Sequence, residues 1–438
     1  MRSGAELCLN TLRGIVVRAW ILILMMALTL TPGSRMSFAE ERATATGRVV
    51  DVAGRPLDNA IVMVYSAGVK KGYSLFCPTC YRDCGKRTVT GPEGNYKISG
   101  LDPELVFTLV AVKDGYLAAY IPNVDPAAGP APDAHLMPQP AIKDVSQIVR
   151  GRVVDTQGKP QRDAVIQPDI ATYKGPGGQV NFSAPIEWIN EVTVTNDKGE
   201  FEVAFSKPAM EMTLRVTARG MAPKHFTVPT GGERKTTIVT EGAIIRGRLV
   251  YNGKPVAAAE VGLIPHDAGV GRWYPEVRIG TAEDGTFTIT NVPPGRIWQL
   301  RPMMESLASR GLGADLVVCE TKDDGQEVNL GDIRLKPAHS LRGKVALGDA
   351  KPIPPGMRVS IVADRSGDSQ GVKIGSDGRF RFDGLPDGIY SVTPAVEGYR
   401  LANECAISLC RSVEILVNRD VNDFVIKMEP ESEAAPHK

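Results

Sequence analysis

One pattern occurs four times along the 438-residue chain, and it constrains the fold more than any other feature. Each copy has an apolar-Gly-Arg/Lys-apolar run, then a turn, and later a Gly-x-aromatic hairpin preceded by an acidic residue. The copies start at Gly47, Gly151, Gly247 and Gly343, which are 104, 96 and 96 residues apart. A unit of roughly 100 residues can bury a core of its own, whereas a solenoid unit of roughly 20–45 residues cannot. The repeat therefore predicts four tandem domains.

Short apolar runs bounded by glycine and proline fill each copy, which is typical of β-strands. In the first copy Tyr96 and Ile98 alternate after the turn at Glu93-Gly94, as residues of a strand do. About seven such runs in roughly 100 residues predict an Ig-like or related β-sandwich. The best helical candidate, Met303 to Arg310, is short. We therefore predict an all-β protein of four tandem β-sandwiches in an elongated arrangement.

The joints between copies are short at two places and long at one. Val239 lies 8 positions before Gly247, and Leu335 lies 8 positions before Gly343, so one strand runs almost directly into the next copy. The stretch from Pro122 to Pro140 holds six prolines and few apolar residues. It predicts a long loop that acts as a semi-rigid strap, with most of the flexibility near the first joint.

The first 39 residues have the pattern of a secretory signal peptide. Arg13 and Arg18 precede an apolar run from Ala19 to Leu30, and Ser37-Phe38-Ala39 supplies small residues for cleavage. The run is shorter than the roughly 17–20 residues that span a bilayer, which favours export over a transmembrane anchor. We therefore expect a secreted protein, periplasmic or extracellular, with no integral membrane segment after the signal is removed.

Charge narrows the range of partners. The full chain has a formal net charge of +1, and residues 40–438 alone carry −2, because the first 39 residues hold four arginines and one glutamate. A nearly neutral chain has no electrostatic basis for binding nucleic acid. We expect instead an unknown protein or polysaccharide partner at the cell surface or in the periplasm. The predicted segments are a signal peptide at 1–39, sandwiches at 40–141, 142–241, 242–337 and 338–430, and a disordered tail at 431–438.

The repeated pattern, G-[RK]-V-x-D…G-x-P-[LV]-x-x-A-x-V…T-x-x-x-G-x-[FY]…G-[LV]-P-x-G…Y, resembles the carboxypeptidase regulatory-like domain. The fourth copy departs at its start, where Asp51 has no counterpart and Pro354-Pro355 replaces the A-x-V approach. The matching residues of the first copy are Gly47, Arg48, Val49, Val50, Asp51, Gly54, Pro56, Leu57, Ala60, Val62, Gly94 and Tyr96. Those of the third and fourth hairpins are Gly285, Phe287, Val292, Pro293, Gly295, Gly378, Phe380, Leu385, Pro386, Gly388 and Tyr390.

The resemblance implies a transthyretin-like β-sandwich, related to the carbohydrate-binding-like fold, in each copy. It implies no chemistry, because the matching residues are turn and core positions. In this family the domain is usually an accessory module that follows a metallopeptidase, precedes an outer-membrane receptor or occurs in strings on exported proteins. Four copies fill the chain after residue 39, so we expect no catalytic domain within it.

Cysteines form the densest group of reactive residues. Cys77, Cys80 and Cys84 lie in the segment CPTCYRDC, and an oxidising compartment favours a disulfide that pins this long loop. A three-thiolate metal site and a redox C-x-x-C stay open as alternatives, although structural zinc needs four ligands and a thioredoxin-like motif opens a helix. Cys405 and Cys410 bracket a four-residue segment and are candidates for a further disulfide. The sequence does not fix the pairing.

The sequence contains no convincing catalytic constellation. The five histidines form no H-E-x-x-H motif of the kind that binds catalytic zinc. Gly367 to Gly371 reads G-x-S-x-G, but it lies in a polar segment between two β stretches, and a nucleophile elbow needs a strand, a turn and a helix. We interpret it as a flexible loop. We therefore expect no enzymatic activity, no metal and no cofactor.

Long segments between the second strand and the Gly-x-aromatic hairpin are the candidate binding loops. Arg272, Trp273 and Tyr274 in the third copy are candidates for a ligand site, since exposed aromatic faces stack on sugar rings. The alternative is that these aromatic rings cover their own core. Trp298 alternates with Leu300 and is predicted to be core. We expect a non-enzymatic exported binding or scaffold protein, or alternatively a carbohydrate-binding protein that uses aromatic loops of the second and third copies.

Overall fold

The fold is known from a computed structural model, which shows an all-β protein. Strands account for almost every regular element among the described residues, and they pair into two main sheets in each of the four copies. The predicted fold class of tandem β-sandwiches is therefore confirmed. The structure describes residues 42–70, 83, 86–139, 144–183, 192–205, 209–231, 234–266, 277–402 and 412–431.

The first sandwich encloses its core between one three-stranded and one four-stranded sheet. The sheets have strand orders β4-β1-β7 and β3-β2-β5-β6. The strands are β1 (Ala43–Asp51), β2 (Ile61–Val69), β3 (Arg87–Val89), β4 (Asn95–Leu101), β5 (Leu105–Val112), β6 (Ala119–Val124) and β7 (Ala134–Leu136).

The second sandwich follows a short 3₁₀ turn at Val145–Gln147. Its sheets have orders β12-β8-β15 and β10-β9-β13-β14, and β11 also pairs with β9. The strands are β8 (Ile148–Val154), β9 (Val165–Gly175), β10 (Gly178–Ser183), β11 (Thr193–Val194), β12 (Glu200–Ala204), β13 (Glu211–Thr217), β14 (Lys224–Pro229) and β15 (Lys235–Ile238).

The third sandwich contains the predicted helical segment, as one α-helical turn, α1 (Met304–Leu307), followed by a 3₁₀ turn at Ala308–Arg310. Its main sheets are β17-β16-β20, with β24 also on β16, and β19-β18-β21-β23. The strands are β16 (Ala243–Tyr251), β17 (Lys254–Pro255), β18 (Glu260–Pro265), β19 (Val277–Gly280), β20 (Thr286–Val292), β21 (Arg296–Pro302), β22 (Leu312–Gly313), β23 (Val317–Thr321), β24 (Glu327–Arg334) and β25 (Lys336–Pro337).

The fourth sandwich has two four-stranded sheets, of orders β29-β26-β33-β31 and β28-β27-β30-β32. In all four sandwiches the first strand pairs antiparallel with the hairpin strand and parallel with a strand at the end of the unit (β7, β15, β24 or β33), which closes each unit. The strands are β26 (His339–Leu347), β27 (Arg358–Ala363), β28 (Ser369–Lys373), β29 (Arg379–Leu385), β30 (Gly388–Ala395), β31 (Tyr399–Leu401), β32 (Val413–Val417) and β33 (Val421–Pro430).

The glycine that opens each copy lies opposite the aromatic residue of the hairpin. A Cβ atom on these glycines would lie 2.3 to 2.6 Å from an atom of the facing aromatic side chain, which therefore occupies the space that a side chain on the glycine would need. This contact explains why the two motif positions occur together. The pairs are Gly47 with Tyr96, Gly151 with Phe201, Gly247 with Phe287 and Gly343 with Phe380.

The motif threonine fastens the first turn of a copy to its second strand. Thr90 accepts a hydrogen bond from the Ala60 backbone N–H at 2.9 Å and donates one to the Leu57 carbonyl at 2.7 Å. Thr195 and Thr281 make the same two bonds in the second and third copies. The fourth copy has a buried isoleucine, residue 374, at this place. This difference accompanies its irregular first turn.

The motif aspartate caps the first turn. Asp51 accepts hydrogen bonds from the backbone N–H groups of Ala53 and Arg55, at 2.8 and 2.9 Å. The bond from Arg55 is the main cause that lowers the pKa of the Asp51 carboxyl. Asp155 caps the same turn in the second copy. The residues behind the family resemblance therefore build turns and cores.

Buried apolar residues form one large cluster within each copy and a smaller one between the first two. The cluster of the fourth copy also takes in Met304 from the third. The proline-rich stretch from Pro122 to Pro140 is not the long loop and semi-rigid strap that its composition predicts, because its described part contributes to β6 and β7, and the Ala131 N–H donates to the Thr46 carbonyl at 2.7 Å. The segment boundaries drawn from the sequence stay predictions.

Candidate interaction surfaces

The residues that the sequence singles out for disulfides and ligand binding lie outside the described part of the chain. The same holds for the predicted signal peptide and for most of the predicted tail. These assignments stay predictions. The residues concerned are Cys77, Cys80, Cys84, Cys405, Cys410, Arg272, Trp273 and Tyr274.

The structure does describe the stems of the predicted binding loops. In each sandwich the loop leaves the second strand and returns to a short strand at the same edge of that strand's sheet: β2 and β3, β9 and β11, β18 and β19, β27 and β28. The four loops therefore start from equivalent places, as the sequence predicts. In the second sandwich the hairpin of β9 and β10 extends this region further.

Asp83 fastens the base of the first loop. Its side chain is buried, and its carboxylate accepts hydrogen bonds from Arg42 Nη2 at 3.0 Å, Lys86 Nζ at 2.8 Å and the Asp102 backbone N–H at 2.7 Å. Lys86 Nζ also donates to the Gly100 carbonyl. A buried carboxylate needs such partners to offset its lost hydration. The cluster ties the loop base to the start of β1 and to the turn after β4.

The equivalent loop of the fourth sandwich is fixed in a joint with the third. Asp368, the second residue of the G-x-S-x-G segment, is buried, and its Oδ2 accepts the Met304 backbone N–H at 2.8 Å. Its Oδ1 accepts the Ser369 N–H at 2.8 Å. Arg301 donates to the Ser366 carbonyl from the other side. The interpretation of this segment as a flexible loop is therefore wrong, because a buried carboxylate anchors it to the neighbouring sandwich.

Close backbone contacts complete this joint. A Cβ atom on Gly384 would lie 2.9 Å from Ala308 Cα, and one on Gly313 would lie 2.7 Å from Pro386 Cγ. Ser369 begins strand β28, so its hydroxyl is not on a strand-to-helix turn. The G-x-S-x-G segment therefore holds the fourth sandwich against the third.

The joint between the first and second sandwiches is apolar. The outward face of the sheet formed by β2 and β5 packs against β9 and β11, and no polar anchor like Asp368 is found in the described part of this contact. Tyr65 and Tyr120 pack edge to face beside it, with ring centroids 5.2 Å apart. The buried residues of the contact are Ile61, Met63, Val110, Val112, Val165, Val192 and Val194.

A row of polar side chains crosses the outward face of the second sandwich, and sequence reasoning missed it. Gln167, Arg215 and His225 are register neighbours on β9, β13 and β14, and Arg215 Nη2 donates to Gln167 Oε1 at 2.8 Å. His225 Nε2 lies 2.5 Å from Asp169 Oδ2, and both side chains are largely buried. The available signal was the alternation of β13, whose even-numbered positions are core and whose odd-numbered positions are polar.

The third sandwich contains a thiol in its core. Cys319 is buried, and burial raises the pKa of its thiol to about 11, so it is protonated and unreactive near neutral pH. Trp298 is buried beside it, as predicted, and its Nε1–H donates to Thr321 Oγ1 at 2.8 Å. Among the described residues, no helix is long and apolar enough to cross a membrane.

Comparisons with known proteins give weak structural likenesses. No protein-family model and no curated protein matches the chain. A streptococcal ancillary pilin is 15% identical with a TM-score of 0.22, over 65% of this chain and 99% of the pilin. The Bacillus anthracis TIE protein is 11% identical with a TM-score of 0.20, over 90% of this chain and 76% of that one. BcpA, the major pilin subunit of Bacillus cereus, is 13% identical with a TM-score of 0.19, over 68% and 99%. Likenesses at this level carry no argument about function, and the similarity to the carboxypeptidase regulatory-like domain stays a resemblance.

Proposed function

We propose that this protein is a non-catalytic, exported scaffold whose sandwiches hold loops in fixed positions for contact with a protein or polysaccharide at the cell surface or in the periplasm. The observation that carries the proposal is the structural role of the polar motif residues. Asp51, Asp155, Thr90 and their counterparts are used for turns and strand connections. The segments between the second strand and the hairpin differ in length among the four copies, and binding residues usually lie on loops held by a rigid scaffold.

The anchor at Asp83 supports this proposal further. Three donors converge on one buried carboxylate, that of Asp83, which belongs to the cysteine-rich segment. Such a cluster costs desolvation and adds little stability compared with an apolar replacement. It does fix where the loop leaves the sheet. This arrangement suits a scaffold that must present a loop in a defined direction.

Loop replacement tests the proposal. Residues 72–82 in one variant, and 267–276 in another, are exchanged for short Asn-Gly turns, which leave Asp83 and the flanking strands intact. We expect both variants to keep the far-UV spectrum and a melting temperature within a few degrees of the parent, because the cores are untouched. At least one should lose binding to the surface of the producing cell. Unchanged binding by both, or turnover of an ester, peptide or glycoside substrate, would refute the proposal.

Carbohydrate binding by the third sandwich is the second candidate. Arg272, Trp273 and Tyr274 follow His266 in sequence, and the His266 and Gln299 side chains are joined by a hydrogen bond at 2.8 Å beside exposed Ile297. Polar groups next to apolar surface are what a sugar site needs. Affinity electrophoresis in polysaccharide gels should show retardation that Trp273→Ala or Tyr274→Ala abolishes. The matched control is Val277→Ala, which truncates an exposed residue on the stem of the same loop.

A further inference from the structure

The hairpin of β9 and β10 in the second sandwich presents an unusual edge strand. Strand β10 pairs with β9 and with no other strand of the described chain. Its residues from Gly178 to Phe182 are all exposed, including Val180 at 39% and Phe182 at 41%. Its sequence, GQVNFS, contains neither proline nor a charged residue. Proline and charged residues are what normally protects an edge strand from pairing with another chain, and β10 has neither.

Other edges carry such protection. Strand β14, at the opposite edge of the same sheet, has Lys224 and Pro229, and β6 in the first sandwich has Pro122. In the fourth sandwich β28 contacts α1 of the third. The β10 edge is therefore unlike these three, and its lack of protection calls for a partner.

The backbone groups of β10 that face outward follow from the register. Gly175 and Gly178 flank the two-residue turn and form a hydrogen-bonded pair, so bonded and non-bonded pairs alternate from there. Thr172 and Asn181 then form a non-bonded pair. In agreement, the Thr172 carbonyl accepts the Met210 N–H on the β13 side. The backbone N–H and carbonyl of Asn181 therefore point away from β9, as do those of Gln179.

The side chains of β10 complement a second copy of the same strand. An antiparallel pair centred on Asn181 of both copies brings the outward backbone groups into register and places Val180 opposite Phe182 twice. The apolar face of each hairpin, where Tyr173 and Phe182 stack edge to face with ring centroids 5.7 Å apart, then continues into the other. On the other face Asn181, which contacts Thr172 Oγ1 at 3.0 Å, meets its own counterpart. No charged side chain of β10 opposes another.

We propose that β10 is a self-association edge, and that two copies of this chain pair antiparallel through it about a two-fold axis at Asn181. The two five-stranded sheets thereby join into one continuous sheet. This interaction uses part of the loop segment of the second sandwich and needs neither the loop of the first sandwich nor that of the third, so it can hold or fail independently of the binding that the two loop replacements test.

Sedimentation velocity over a wide concentration range tests the association. We expect the exported full chain to shift from monomer to dimer with concentration. Val180→Lys should weaken dimerisation by at least about tenfold, because it puts unpaired charge in the joined sheet. Val318→Lys is the control, since Val318 is a similarly exposed residue of the edge strand β23. A chain that stays monomeric at every concentration, or a Val180→Lys variant that dimerises like the parent, overturns the proposal.

Cysteine substitution tests the register and does not depend on the behaviour of the lysine variant. In the proposed pair the two Asn181 Cα atoms are about 5.5 Å apart, within the range of a disulfide. Under mild oxidation Asn181→Cys should give a covalent dimer above the background of the unaltered chain. Gln179→Cys should not, because its two copies would be about 13 Å apart along the strands. Equal cross-linking of both variants, or of neither, contradicts the register.

Discussion

Two joints hold neighbouring sandwiches together by different chemistry: the joint between the first and second sandwiches, and the joint between the third and fourth. The first is a patch of buried aliphatic side chains, including Met63 and Val110, on sheet faces. The second combines Met304, inserted in the neighbouring core, with the directional hydrogen bonds of Asp368. Apolar contact is non-directional and tolerates small shifts. A buried carboxylate that accepts a hydrogen bond from one particular N–H fixes a single arrangement of the two sandwiches. Loss of either group leaves the other buried without a partner and weakens the joint.

The largest effect should come from Asp368→Ala. The substitution leaves the buried Met304 N–H and the partly buried Ser369 N–H without their acceptor. We expect the free energy of unfolding of the last two sandwiches to fall by about 3 kcal/mol. Urea unfolding followed by fluorescence measures it. Asp364→Ala, an exposed aspartate on the same turn, should change stability by less than about 0.5 kcal/mol. Equal effects of the two would show that the joint is not held by Asp368.

Met63→Ala should weaken the apolar joint in a graded way. Met63 is 6% exposed, and its truncation should lower the free energy of unfolding of the first two sandwiches by about 2 kcal/mol. Met137→Ala, at an exposed methionine of the same sandwich, is the matched control. Calorimetry should show both sandwiches still folded at 25 °C. A loss that exceeds that of Asp368→Ala would reverse the contrast between the joints.

The thiol of Cys319 can report separately on the third sandwich. Because it is buried and its pKa is raised to about 11, alkylation at pH 8 should require opening of that sandwich. Asp368→Ala should speed labelling of Cys319 by about tenfold or more, whereas Met63→Ala should leave it unchanged. Peptide mass spectrometry distinguishes Cys319 from the other cysteines. Rapid labelling in the unaltered chain would show that the thiol is not in the core.

The smallest effect should come from the ion pair between Lys373 of the fourth sandwich and Glu104 of the first, whose Nζ and Oε1 atoms lie 3.2 Å apart. Both side chains are partly exposed, so the pair contributes about 0–1 kcal/mol. Glu104→Gln should move the unfolding midpoint by no more than the experimental error. A clear destabilisation would reveal a further joint, between sandwiches that are not neighbours in sequence.

Sequence predicted the repeated frame because its determinants are local. Two of these determinants recur at fixed spacing in the sequence: a glycine that must lie under an aromatic ring, as at Gly151, and an aspartate that caps a turn. The joints depend on which outward faces meet, and nothing local distinguishes Asp368 in a joint from an aspartate in a free loop. Composition misled at the stretch from Pro122 to Pro140, because proline is compatible with an edge strand such as β6. The pair of Asp169 and His225 was missed because its members lie far apart in sequence.

Hydrogen exchange of the intact chain in increasing urea is the most direct test that these sandwiches form a frame with two kinds of joint. If the account is right, amides of β21 and β27 open together with one free energy in the unaltered chain, and Asp368→Ala separates them into two. Met63→Ala should lower the free energy of opening by a similar amount for the amides of β5 and for those of β9. Independent opening of the third and fourth sandwiches in the unaltered chain would contradict the account.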